Sequence, residues 1–141
     1  MPDLVETVLD DMKTRINAIP EFRKTALAYY DGDTLLNGIA SLKQPSVGVV
    51  YEGMSSEGND EYGKKVRLRF GIYIFATQGT KDADVLSSSE MLKLVRNVFL
   101  ETCAPNNRKW KFEAEMPVDL TDGIIYMQRW SVTGILNPRI V

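Results

Sequence analysis

Few residues in this chain are equipped for chemistry, and their types narrow the options quickly. None of the 141 residues is histidine, which removes Ser-His-Asp and Cys-His catalysis, histidine metal sites and the usual general base near neutral pH. The single cysteine, Cys103, follows an apolar helical pattern, where the sequence supplies no base and a helix C-terminus raises a thiol pKa. It reads as a buried structural thiol, since free cysteine is among the most buried residue types. Glu57, Asp60 and Glu61 gather carboxylates that would suit a hard cation, but they lack the ligand spacing of an EF-hand and read as a solvated loop. Arg67 and Arg69, near that acidic stretch, are either contacts between subunits or an ordinary solvated strand face. No catalytic residue, cofactor or metal is therefore expected.

The element that carries the two arginines is the clearest in the sequence. From Lys65 to Thr77, Val66, Leu68, Phe70, Ile72, Ile74 and Ala76 alternate with Arg67, Arg69, Gly71, Tyr73 and Phe75. Period-two alternation puts successive side chains on opposite faces of a sheet, so the first set is a core face. The second set begins basic and ends aromatic. Tyr73 and Phe75 read equally as a contact with another subunit or as a surface covered within the monomer.

The rest of the chain supplies the supporting elements. Asp3 is placed to cap a helix whose apolar stripe is Leu4, Val5, Val8, Leu9, Met12, Ile16 and Ile19, and Pro20 marks its end. Thr25–Tyr30 suggests a first strand before the turn signal Asp31-Gly32-Asp33, and 35–42 is ambiguous. Val47, Val49 and Tyr51 alternate as a second strand. Residues 53–64, GMSSEGNDEYGK, combine three glycines with three acids and predict a long mobile loop between two hairpin-paired strands. A second helix follows, with Met91, Leu92, Val95, Val98 and Phe99 on one side, a capping box at Ser87 and Glu90, and an end near 103–105. After Asn106-Asn107, Trp110, Phe112, Ala114 and Met116 alternate with Lys111, Glu113 and Glu115. Asp122-Gly123 then turns into a last strand from Ile124 to Ile135.

This order reads as α+β: a single mainly antiparallel sheet of four or five strands with two main helices packed on one face. At 141 residues and 44% hydrophobic, the chain suits one domain, 1–141, with a core that needs no disulfide. Seventeen basic against 19 acidic residues leave a net charge of −2, with no basic block for nucleic acid. No stretch has the character of a signal peptide or a membrane span, so a soluble intracellular protein is expected.

Taken together, LVETVLDDMKTRINAI, PSVGVVYEG, the Gly-rich loop, KVRLRFGIYIFAT, MLKLVRNVFL and YMQRWSVTGIL resemble the tail terminator proteins of tailed bacteriophages, particularly the Mu-like branch. The resemblance covers nearly the whole chain and rests on order and polarity patterns. It implies a structural virion protein at the head-proximal end of the tail, assembled in the host cytoplasm. It implies a ring, typically a hexamer, that caps the tail tube, stops polymerisation and presents a surface for head joining. Implied partners are the chain itself, a tail tube or sheath protein and a head-tail connector protein. Arg67, Arg69, Tyr73, Phe75, Asp60, Glu61 and Tyr62 are the candidate interface residues. A neck or connector protein is the neighbouring alternative, and a small ligand-binding domain or enzyme the alternative of a different class.

Overall fold

A computed structural model describes residues 3–22, 26–29, 46–61, 63–75, 88–120 and 123–136. The elements are α1 (Leu4–Asn17), a 3-10 turn (Pro20–Phe22), β1 (Ala26–Tyr29), β2 (Ser46–Asp60), β3 (Gly63–Phe75), α2 (Ser88–Phe99), β4 (Lys111–Leu120) and β5 (Gly123–Leu136). Five strands form one sheet in the order β1-β2-β3-β5-β4, with β1 parallel to β2 and every other pair antiparallel. The α+β architecture expected from the element order is the one observed.

Both helices lie on the face that the alternation of β3 marks as the core. Asp3 caps α1 by accepting the Glu6 backbone N–H at 2.8 Å, and Val8, Leu9, Met12 and Ile16 on its stripe are buried. They meet Val47 and Val49 of β2, Val66 through Ile74 of β3, and Met91, Leu92, Val95 and Phe99 of α2 in one continuous cluster. At its centre Trp110 stands edge-on to Phe70 and Phe99, with centroids 5.8 and 5.6 Å away, and Phe99 leans on Trp130 at 5.7 Å. Such edge contacts add about 0.5–1.5 kcal/mol each beyond the area they bury.

Three local expectations are corrected. Residues 53–60 are not a loop: β2 continues to Asp60, pairing Gly53 with Arg69 and Asp60 with Gly63. The glycines that suggested a loop are bulge residues instead, Gly53 and Gly58 having φ of 110° and 111°, a region side chains rarely enter. Second, α2 stops at Phe99, well before 103–105, because Glu101 takes φ 62° and Thr102 N–H closes onto the Phe99 carbonyl at 3.1 Å. Third, the alternation of β4 changes phase at Glu113, since Phe112 pairs with Trp130 but Ala114 pairs with Arg129. Ala114 and Met116 therefore share the face away from the helices, and Glu115 turns toward α2. The expected features at 31–33 and 35–42, with Tyr30, Tyr62, Ala76, Ser87 and Asp122, lie outside the described residues.

Candidate functional site

The face of the sheet opposite α1 and α2 collects most of the candidate residues. Register places Lys65, Arg67, Arg69, Gly71, Tyr73 and Phe75 of β3 on it, beside Ile125, Met127, Arg129, Ser131 and Thr133 of β5. Across this face the sheet has three slips of register, between Tyr51 and Gly53, between Ser56 and Gly58, and between Phe112 and Ala114. The residue at each slip is a glutamate: Glu52, Glu57 and Glu113. A bulge adds one unpaired residue and re-aims a side chain, and here each re-aimed carboxylate meets an arginine.

The three pairs form a ladder over four strands. Glu52 accepts from Arg129 Nε at 2.9 Å and from the Tyr73 hydroxyl at 3.3 Å. Glu57 accepts from Arg67 Nε, and the same guanidinium reaches Ser131 Oγ at 3.0 Å. Arg69 donates to Glu113 at 3.3 Å and to Ser55 Oγ at 2.8 Å. Gly71 makes room for the first pair, since a Cβ there would sit 2.9 Å from Tyr73 Cε2 and 3.0 Å from Glu52 Cδ. The charges follow the geometry. The bond from Arg67, with the fields of Lys65 and Lys111, holds Glu57 below the usual glutamate range. Burial pushes Glu113 upward, but Ser131 and Arg69 outweigh it and leave the group lowered. The bond to Glu52 raises Arg129, and burial followed by the Glu52 charge raises the Tyr73 phenol.

Beyond the ladder the same face turns apolar. Val50 and Ile125 are buried there, with Tyr29, Tyr73 and Phe75 half-buried around them, and Met127 is buried too. Much of this end is thus covered within one chain, and Tyr73 and Phe75 keep part of their surface open. Arg67 and Arg69, expected to face solvent or a neighbour, are engaged with Glu57 and Glu113 of their own chain. Glu61 is exposed at the turn between β2 and β3, Asp60 pairs with Gly63 beside it, and Tyr62 lies outside the described residues. Cys103 is half-buried rather than buried, in a bridge to Lys109, and its carbonyl accepts from Arg15.

Sequence reasoning missed Glu52, Glu113 and Arg129. A signal for the first existed in the repeated Glu-Gly pairs at 52–53 and 57–58, a bulge signature hidden by loop-like composition. Glu113 had none, because its slip leaves the local pattern looking like simple alternation.

On the helix-covered side a recess of about 240 Å³ is lined by Ser88, Ser89, Leu92, Arg96, Glu115 and Tyr126. Its charged groups hold each other, Arg96 Nη1 lying 2.8 Å from both Glu115 oxygens. Behind them the buried Gln128 donates to Glu115 and to the Leu92 carbonyl, both at 2.9 Å, and accepts from Trp130 Nε1 at 3.0 Å. That network ties α2 to β4 and β5. Among the described residues no group of three or more acidic or cysteine side chains is arranged to hold a metal ion, and no helix is long and apolar enough to cross a membrane. No protein-family model matches the chain, and no curated protein matches it by sequence.

Proposed function

We propose that this protein is a structural subunit of a bacteriophage tail, forming a ring that caps the tail tube, stops its polymerisation and offers the surface for head joining. What supports the reading, beside the sequence resemblance, is one observation: the Glu–Arg pairs of the far face, with Ser55 and Tyr73, are engaged with one another across four strands. Groups held this way make a stiff, preorganised surface that recognises by shape and charge. They do not converge on a substrate. A subunit of a closed ring must meet a copy of itself on two different sides, and such contacts are made by fixed surfaces. In the recess beside α2, Arg96 and Glu115 likewise neutralise each other, which counts against a charged small-molecule ligand there.

Negative-stain images of the purified protein test the assembly, with annuli of uniform diameter as the expected result and single small particles at every concentration as the refuting one. Deleting the gene in a phage that carries it tests the role. Filled heads beside tails of irregular length are expected; normal tails that merely fail to join heads would point to the connector alternative. Replacing Tyr73 and Phe75 together by Ser is expected to lower the oligomer mass while the monomer stays folded. An unchanged mass by light scattering would remove those two residues from the interface.

A further inference from the structure

The paired arginines make the exception visible. Arg15, Arg67, Arg69, Arg96 and Arg129 each lie within salt-bridge distance of a carboxylate of the chain, whereas Arg108 makes no ion pair among the described residues. Its position is nevertheless well fixed. The Arg108 backbone N–H bonds to Asn106 Oδ1 at 3.3 Å, its carbonyl accepts from Ala104 N–H at 2.8 Å, and Asn106 Nδ2 pins the turn to the Thr133 carbonyl at 2.9 Å. The Arg108 side chain and Lys65 border a recess of about 30 Å³ against Thr133, Gly134 and Ile135. β4 begins only opposite Ser131, so among the described residues no strand covers β5 on this side beyond that point. Because the Thr133 carbonyl faces Asn106, away from β3, the N–H of Ile135, two residues on, points to the same open side. Two cations and a backbone donor around a space of that size suit a single carboxylate group.

We infer that this recess receives Glu61 of a neighbouring copy. The inference rests on the ring reading above and names the contact that closes it. Glu61 is exposed at the tip of the β2–β3 hairpin, next in sequence to Asp60. Lys64 pairs with Leu136 and Lys65 with Ile135, which puts the tip and the recess at the same end of the sheet. They sit on opposite lateral sides of it, the tip between β2 and β3 and the recess at the open edge of β5. Two copies side by side therefore bring the acidic tip of one to the recess of the next. Arg108 and Lys111 are exposed on that receiving side, while Lys109 between them is paired with Glu101 at 3.4 Å, so the side keeps a positive excess complementary to the approaching carboxylate. A contact between two different patches is heterologous, the kind that closes into a ring by rotation.

Charge exchange tests it. Arg108→Glu and Glu61→Arg are each expected to weaken self-association by about tenfold or more, measured by sedimentation at low and physiological salt. The double variant restores it toward wild type. Circular dichroism confirms folding, which these exposed positions should preserve. Oligomers unaffected by either single change, or singles that weaken while the double fails to recover, overturn the Glu61–Arg108 contact and leave the ring reading standing. A wild-type chain that stays monomeric throughout overturns both.

Discussion

The two faces of this sheet are built by opposite means. Under α1 and α2, β3 presents Val66, Leu68, Phe70, Ile72 and Ile74, all buried, and the strand keeps strict alternation. On the far face the register slips three times, and each slip delivers a glutamate to an arginine. The first face gains stability from area removed from water, which is non-directional and tolerant of small shifts. The second gains little from its partly exposed pairs, and their geometry follows the register that the buried alternation and the bulges set. Stability is therefore carried largely by the helix-covered face, and the far face adapts to the strand positions through its bulges.

The sharpest challenge to that division is a core truncation. Trp130→Ala should cost about 3–5 kcal/mol in denaturant unfolding, because it opens a cavity at the aromatic cluster. A cost near that of a surface change would mean the helix-covered face is not the main source of stability. Next in size, Gln128→Leu should cost roughly 1–3 kcal/mol. It leaves the Trp130 indole N–H without its acceptor on the side of the molecule where polar groups are scarce. A neutral result would show that this network can be replaced by packing alone.

Smaller effects are expected on the far face. Gly53→Ala and Gly58→Ala should each destabilise by roughly 1–2 kcal/mol, because both glycines hold φ near 110° where a side chain is strained even with open space around it. If instead the residues form a loop that relaxes freely, both changes would be close to silent. Glu52→Gln should lower stability by less than about 1 kcal/mol, since its Arg129 partner is partly exposed and screened. Its more telling readout is amide exchange along β2, which is expected to quicken near the bulge.

Acid provides the mildest probe. Glu57 and Glu113 are depressed in the folded chain, so their contribution is present above the ordinary value of 4.5 and fades as pH falls through their folded values. Unfolding midpoints measured from pH 6 to pH 3 should decline less steeply in Glu113→Gln than in wild type. Parallel slopes would separate this carboxylate from the stability of the ladder.

How much was legible follows the same line. The α1 stripe, the strict alternation of β3 and the extent of β5 could be read directly, because burial against a layer imposes a period on sequence. The hairpin arm could not. Gly53, Gly58 and the surrounding acids have loop composition, and a bulge uses the same residues as a loop for the same conformational reason. At Glu113 the alternation was misleading: the pattern kept Ala114 and Met116 on one face with Trp110 and Phe112, and one inserted residue moved both to the other face.

By itself, then, the sequence determined the class of the fold, the core face and its helices, and the scarcity of catalytic groups, since composition and periodicity are local properties. Only the tertiary structure decided that Arg67 and Arg69 are engaged within the chain, while Arg108 makes no ion pair among the described residues. Which carboxylate meets which guanidinium depends on strand register, and register is fixed by pairings between residues far apart in the chain. Arg129 and Glu52 stand 77 positions apart and meet at 2.9 Å. No local pattern encodes such a meeting, because it exists only once β2, β3 and β5 lie side by side.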